Sequence, residues 1–210
     1  MKRCLIIAGG RFSAIEPERL KADYVIACDK GAEYAGKYGI RPNIITGDMD
    51  SVSPETLGIA EEGDIPILRY PKEKDDTDTL IAVKHALSDG YREIVLVCAL
   101  GNRLDHEFAN IQAAHFAAKE GALVKFYDDK EEIIVFSDSG VTIPASVNVS
   151  VSVFSLDDRS EGVCISGTKY EVNDAVLTNT FPIGVSNEFK EKQAAISVRK
   201  GSLMVIMSSV

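Results

Sequence analysis

The sequence predicts two structural classes in succession, an α/β sheet domain followed by an all-β antiparallel sandwich. In the first part, apolar runs alternate with segments of helical spacing, which is typical of a parallel sheet covered by helices. Beyond about residue 131, the pattern changes to short runs in which apolar and polar residues alternate. The change falls near residues 129–140, and we predict domains at 1–132 and 133–210.

The first two strands are predicted from continuous apolar runs, the pattern of strands that are buried on both faces. These runs are Cys4–Ala8 and Tyr24–Cys28. The first is followed by Gly9-Gly10, which is more typical of a turn than of a phosphate-binding loop because no G-x-G-x-x-G fingerprint is completed. The second is followed by Asp29, and a short helix is then predicted over 32–38, ending near Gly39.

The third strand ends in two acids one residue apart, in the stretch Ile44-Ile45-Thr46-Gly47-Asp48-Met49-Asp50-Ser51. Gly47 allows a sharp turn, from which Asp48 and Asp50 project. Like charges this close repel unless a cation lies between them, and Mg²⁺ prefers oxygen ligands. The alternative interpretation is an Asx-type surface turn with no ligand.

Two further helices begin at polar clusters. Ser53 is predicted to cap a helix with Pro54 at its first position, and a strand is predicted over 65–68. Five charged residues, 72–76, then precede Thr77 and a helix that is predicted to start at Asp78 and end at Gly90. Capping and dipole stabilisation account for one or two acids there, but not for three acids and a lysine.

The most strand-like segment is Glu93–Leu100, and it too leads into a polar cluster before a helix predicted over about 107–119. Arg103 is suited to bidentate phosphate binding, and the helix start presents free N–H groups to an anion. The alternative is that Arg103 and Asp105 only pair with each other and that His106 is solvated. A further strand is predicted over 124–127.

The second part is predicted to contain strands over 133–136, 147–154, 195–199 and 203–207, the last two joined by Lys200-Gly201 as a terminal hairpin.

Composition narrows the class of protein. The 210 residues carry a formal net charge of −9, which argues against a nucleic-acid surface because phosphate backbones are bound chiefly by clustered Lys and Arg. The four cysteines are scattered, which favours a reducing cytoplasm. We expect neither a signal peptide nor a membrane span, since the apolar runs are too short.

Ligands of open parallel sheets bind beyond the carboxyl ends of the strands, where all these polar clusters are predicted to lie. We therefore favour a metal-nucleotide site over surface turns. Within enzymes, a metal-dependent sugar-nucleotide transferase also uses an acid pair after a strand, but it leaves the 75–78 and 186–189 stretches unassigned. A non-catalytic nucleotide-sensing module is the alternative from another class.

Four motifs in this order and spacing resemble the thiamine pyrophosphokinase (thiamine diphosphokinase) family. They are Gly47-Asp48-Met49-Asp50-Ser51, Asp75-Asp76-Thr77-Asp78, Arg103-Leu104-Asp105-His106 and Gly184-Val185-Ser186-Asn187-Glu188-Phe189. The resemblance implies a Rossmann-like three-layer α/β domain, a C-terminal β-sandwich and a homodimer. It also implies Mg²⁺-dependent transfer of pyrophosphate from ATP to the thiamine hydroxyl, giving thiamine diphosphate and AMP.

The resemblance also implies roles for individual residues. Metal-holding acids are expected at Asp29, Asp48, Asp50 and Asp78, with the last three and Arg103 as catalytic residues. Nucleotide contacts are expected from Asp75, Thr77, Arg103, Asp105 and His106, and thiamine contacts from Ser186, Asn187 and Phe189. Asn102 stands where the family often has a second glycine, and Phe189 stands where it often has Trp.

Overall fold

The chain divides into two units, and a computed structural model describes residues 2–101 and 103–209. The first unit runs to Ala117 and includes Phe126–Asp129, while the second contains Ala118–Lys125 and the chain from Lys130 onward. The predicted change from strand–helix alternation to antiparallel strands is confirmed. No helix in the described part of the chain is long and apolar enough to cross a membrane.

The first unit is built on a parallel sheet of buried apolar strands. The strands are β1 (Arg3–Ile7), β2 (Tyr24–Cys28), β3 (Ile44–Gly47), β4 (Ile67–Arg69) and β5 (Glu93–Val97), and β6 (Leu123–Tyr127) crosses the division between the units. The five parallel strands lie in the order β5-β1-β2-β3-β4. The chain places β2, β3 and β4 on one side of β1 and then returns to place β5 on the other side. The connections after β1 and β5 therefore diverge, which opens a crevice at the carboxyl ends of these two strands.

The helices are α1 (Gly31–Tyr38), α2 (Pro54–Glu62), α3 (Asp78–Ser88) and α4 (Leu104–Lys119), with a short 3-10 turn at Pro17–Leu20. The predicted cap at Ser53 is confirmed, because its hydroxyl accepts a hydrogen bond from the Thr56 N–H. Thr77, which was not predicted as a cap, accepts one from the Leu80 N–H in the same way. Gly39 ends α1 with a φ of 67°. One face of the sheet packs Leu5, Ile7, Val95 and Val97 against Tyr34 and Ala35 of α1.

Two predicted boundaries differ near the pocket described below. Strand β5 ends at Val97 and not at Leu100, because Cys98 adopts a φ of 55° that an extended strand cannot continue through. Helix α4 begins at Leu104, three residues before the predicted start. Its early start is supported by Glu107, whose carboxylate accepts a hydrogen bond from the Gly101 N–H at 2.9 Å.

Between residues 130 and 209, the structure describes eight antiparallel strands of the second unit in two groups. They are β7 (Glu131–Ser137), β8 (Gly140–Pro144), β9 (Val149–Ser155), β10 (Ser160–Ser166), β11 (Val172–Leu177), β12 (Asn187–Glu188), β13 (Gln193–Ser197) and β14 (Ser202–Ser209). One group has the order β12-β9-β14-β7 and the other β11-β10-β13-β8. A single buried cluster combines side chains of both groups, including Phe136, Val153, Val163, Ile196 and Leu203.

The predicted terminal hairpin is wrong. Strand β13 pairs with β8 and β10, whereas β14 pairs with β7 and β9. The segment between them bonds to other parts of the unit, since Val198 N–H donates to the Ser139 carbonyl and Lys200 N–H to that of Glu161. These bonds carry the chain from one group of strands to the other. Strands β8, β10, β11 and β12 were not predicted, because their apolar residues are interrupted by polar and glycine positions.

Candidate active site

A cavity of about 490 Å³ lies at the carboxyl ends of the parallel strands in the first unit. Its walls come from the segments after β1, β2, β3 and β5, from the loop before α3, and from the first turns of α3 and α4. Predicted site residues that line it are Asp29, Asp48, Asp75, Thr77, Asp78, Arg103 and His106, and further lining residues include Gly9, Gly10, Ser51, Lys72, Lys74 and Asn110. The separate acidic clusters of the sequence thus share one crevice.

Asp29 is fixed at the end of β2 by a strained backbone. It has a φ of 45°, and its carboxylate accepts a hydrogen bond from the Met49 N–H at 3.1 Å. That carboxylate lies directly over Gly47, so a Cβ at position 47 would collide with it, and Gly47 also has a φ of 146°. Non-glycine residues at positive φ cluster at functional sites, and Met49 at 66° is another.

The carboxyl groups of the cavity interact strongly. Burial, a hydrogen bond and charge from Asp78, and a smaller contribution from the charge of Asp48 together raise the pKa of Asp29 to about 7, although the Met49 N–H lowers it. Asp29, Asp48 and Asp78 therefore lie close enough to repel one another when they are charged. A bound cation would relieve that repulsion, and carboxylate oxygens are the ligands that Mg²⁺ prefers.

The Asp48 and Asp50 turn combines both interpretations of the sequence. The Asp48 carboxylate accepts a hydrogen bond from the Asp50 N–H at 2.9 Å, which is an Asx turn. The Asp48 side chain also lines the cavity, whereas that of Asp50 lies outside its lining and pairs with Lys72 at 2.7 Å. Asp50 is therefore held beside the cavity.

The loop before α3 supplies both acids and cations. The Lys74 ammonium lies 2.6 Å from the Asp78 carboxylate, and only 15% of the Lys74 side chain is exposed. Burial lowers the pKa of Lys74, but the hydrogen bond and charge of Asp78, with the charges of Asp29 and Asp48, outweigh it and raise the pKa above its ordinary value. Lys74 is therefore charged, and the acids already hold one cation.

Arg103 and Asp105 form the pair that the sequence left as an alternative. Arg103 donates two hydrogen bonds to the Asp105 carboxylate, at 2.6 and 3.2 Å. This pairing raises the pKa of Arg103 and lowers that of Asp105. Arg103 and His106 line the cavity, whereas Asp105 lies outside its lining. The predicted departure at Asn102 falls outside the described residues.

The predicted metal acids are gathered but not preassembled. Within residues 2–101 and 103–209, no three His, Cys, Asp or Glu side chains have the arrangement of a complete metal site. The like charges around Asp29 and the Lys74 ammonium beside Asp78 indicate acids that a bound cation would stabilise. By the chemistry of their oxygen donors, Asp29, Asp48, Asp50 and Asp78 fit a hard divalent ion.

Several lining residues were missed or undervalued in the sequence. The Gly10 N–H donates to the Cys98 carbonyl at 2.8 Å, and a Cβ on Gly10 would strike that oxygen, so the glycine pair brings backbone to the cavity. Asn110 is buried and donates to the Ala99 carbonyl at 2.8 Å. The sequence pattern that could have identified Asn110 is a polar residue on the same helix face as the buried Ala113, Ala114 and Ala117.

The second unit has its own cavity, of about 620 Å³, between the β8–β9 turn and the segment before β13. Ser186 and Phe189 line it, together with Glu188 and the stretch 145–150. Asn187 does not line it. Its buried amide is bonded within the unit to Thr168, to the Tyr170 backbone and to the Glu188 N–H, so it fixes the segment on either side.

A parallel α/β sheet with a ligand crevice at the carboxyl ends of its strands is typical of a class of nucleotide-binding proteins. Within that class, residues 18–126 match the thiamin pyrophosphokinase catalytic domain, and residues 140–203 match the thiamin pyrophosphokinase vitamin B1 binding domain. The chain belongs to the thiamin pyrophosphokinase family.

Individual relatives agree with this membership. The chain is 27% identical to the thiamine pyrophosphokinase of Bacillus subtilis (strain 168), with all of both chains covered. A crystal structure of thiamine pyrophosphokinase from Bacillus subtilis has a TM-score of 0.88 at 25% identity, covering 99% of each chain. A thiamin pyrophosphokinase family protein from Enterococcus faecalis has a TM-score of 0.81 at 27% identity, covering 100% of each chain.

Proposed function

We propose that the chain transfers a pyrophosphoryl group from ATP to the hydroxyl of thiamine, giving thiamine diphosphate and AMP. The observation that carries this proposal is the crevice in which acids from three strand-to-helix connections face one cavity, within a chain that matches both domains of the family. The sugar-nucleotide transferase and the nucleotide-sensing module are not favoured by that family membership.

The acids would hold the divalent ion that the reaction requires. Asp29, Asp48, Asp50 and Asp78 are the proposed ligands of Mg²⁺, which when bound neutralises phosphate oxygens that would otherwise repel an attacking hydroxyl. Oxygen ligands and the repulsion around Asp29 support this choice. Asp48, Asp50 or Asp78 would also accept the hydroxyl proton as the new O–P bond forms.

Other side chains of the crevice would bind and orient the nucleotide. Arg103 would exchange its carboxylate partner for a phosphate, since a guanidinium binds both oxyanions with the same bidentate geometry. Asp75, Thr77 and His106 line the same cavity, and Asp105 would keep Arg103 oriented in the absence of nucleotide. These assignments place the middle of the triphosphate between the acids and Arg103.

The second unit would complete the enzyme. We assign residues 1–132 to an ATP- and Mg²⁺-binding domain with a Rossmann-like three-layer arrangement, and 133–210 to a β-sandwich that binds thiamine and dimerises. Ser186 and Phe189 beside the second cavity support thiamine contacts there, with Asn187 as the third proposed contact. Thiamine carries a fixed positive charge, which a chain of net charge −9 attracts.

A homodimer would place this second cavity in a shared site. Phe181, Ile183 and Val185 leave more than half of their surface exposed just before Ser186, and exposed apolar residues this close together favour an interface. The four cysteines are free thiols, three of them buried, which supports a reducing cytoplasm as the location.

Paired acid variants test the proposed metal-dependent activity. With ATP, Mg²⁺ and thiamine, the unaltered protein should form thiamine diphosphate, and Asp48→Asn or Asp50→Asn should reduce this by about 10²-fold or more because charge stabilisation is lost. Asp64→Asn, an exposed acid after α2, is the matched control and should keep full activity. A fully active Asp48→Asn protein, or no turnover by the unaltered one, would reject the proposal.

A further inference from the structure

Two lysines from the loop before α3 are paired with two of the proposed metal acids. Lys74 lies 2.6 Å from Asp78, and Lys72 lies 2.7 Å from Asp50. Both lysine side chains also line the cavity. Two of the four proposed metal acids, Asp50 and Asp78, are therefore paired with cations that belong to the chain itself.

We propose that Lys72 and Lys74 are exchangeable counter-cations, which hold Asp50 and Asp78 before the substrate arrives and then move to the oxygens of the triphosphate. The inference rests on the proposed function, because it needs the metal to take over the two carboxylates. It makes the lysines positioning residues for the nucleotide.

The geometry at Lys74 favours this exchange. Its side chain is mostly buried, its ammonium faces the Tyr70 ring at 5.8 Å, and Asp78 is the first residue of α3. A divalent ion on Asp78 would place a like charge beside that ammonium, and this repulsion favours movement of the ammonium away from the carboxylate. The displaced ammonium would remain in the cavity where an anionic triphosphate binds.

Lys72 extends the same arrangement to the edge of the cavity. Its side chain is 77% exposed, so it is free to move a long way at little cost once Asp50 is taken. Lys72 and Lys74 are separated by one residue, so a single loop movement carries both ammonium groups from carboxylates to phosphates. A substrate that brings both metal and phosphate would supply a cation for Asp50 and Asp78 and an anion for the two lysines.

The exchange predicts opposite effects of one substitution on two ligands. Lys74→Met should bind Mg²⁺ alone about fivefold more tightly, because no ammonium has to be displaced. The same variant should bind ATP in the presence of a chelator roughly tenfold more weakly, because an ammonium–phosphate bond is lost. Both constants are measured by calorimetry on the whole protein, without thiamine and without turnover.

Matched variants separate exchange from a structural role. Lys21→Met removes a lysine whose ammonium lies 2.6 Å from Glu18, and because neither residue lines the cavity, it should change neither constant. Lys74→Arg keeps the charge and should retain weak Mg²⁺ binding. Lys72→Met, at an exposed position, should also bind Mg²⁺ more tightly and ATP more weakly. It replaces Lys74→Met in the experiment if that variant does not fold.

If the lysines only hold the loop in place, Mg²⁺ and ATP should both bind more weakly to Lys74→Met. That result, or unchanged binding of both ligands to a folded Lys74→Met and Lys72→Met, would overturn the proposal. The titrations need no product, so they test the exchange separately from the reaction. If the lysine variants bind Mg²⁺ more tightly and ATP more weakly but the unaltered protein forms no thiamine diphosphate, the proposed function is refuted and the exchange stands.

Discussion

At the scale of single residues, the crevice depends on a contact between two positions that are 18 residues apart in the sequence. Gly47 has no side chain because the Asp29 carboxylate occupies that volume. The sequence predicted a sharp turn at Gly47, and the structure adds a second reason for glycine there, which is the space that the Asp29 carboxylate needs. A spatial neighbour from another strand end was not readable from the local pattern.

A pair of glycine substitutions tests that contact. Gly47→Ala should lower the free energy of unfolding by about 1–3 kcal/mol, because it combines positive φ with a collision. Gly36→Ala, in an exposed helical position with open space around it, should instead stabilise by about 0.5–1 kcal/mol. Urea denaturation of both variants measures this, and a neutral Gly47→Ala would contradict the described packing.

The Asp29 carboxyl predicts a pH dependence of the metal-free protein. An acid whose pKa is raised by folding stabilises the fold while it is protonated. Its contribution is complete below the unfolded pKa of 3.8 and is lost as pH rises through about 7. Asp78, Asp48 and Lys74 are the charged groups that face it.

With chelator present, the unaltered protein should therefore lose stability relative to Asp29→Asn as the pH rises from about 4 to about 7, measured by denaturation at each pH. Parallel curves for the two proteins would show that the carboxyl does not titrate in this window.

At the scale of elements, the parallel strands and their helices were predictable because both faces of the sheet are covered and the caps are explicit. Ser53 and Gly39 mark helix ends in the sequence and in the structure. In the second unit, strands such as β11 expose most of their residues, so the apolar signal is too weak to place them. The change of sheet between β13 and β14 depends on distant backbone partners.

Two equivalent helix caps separate stability from function. Thr77→Ala and Ser53→Ala should each cost about 1 kcal/mol of stability, because each hydroxyl caps its helix with a 3.2 Å hydrogen bond. Only Thr77 lines the cavity, so only Thr77→Ala should also raise the KM for ATP. Equal KM values for both variants would remove Thr77 from the proposed nucleotide site.

At the scale of the whole molecule, the proposed dimer is tested with two isoleucines of equal exposure. Ile183 is 61% exposed in the second unit, and Ile59 is 62% exposed on α2 in the first. Ile183→Glu should place a charge in the proposed interface and shift a dimer toward monomer, with loss of thiamine binding. Ile59→Glu should sediment like the unaltered protein, and identical sedimentation of both variants would exclude this surface from the interface.

The reaction itself is tested most directly by following the phosphorus atoms. ATP labelled at either the α- or the β-phosphorus is incubated with the protein, Mg²⁺ and thiamine, and the products are separated by chromatography. Attack at the β-phosphorus predicts that the β label enters thiamine diphosphate, that the α label leaves in AMP, and that the two products form in equal amounts. If the α label and the β label were each recovered in ADP, with thiamine monophosphate as the other product in equal amount, pyrophosphoryl transfer would be contradicted.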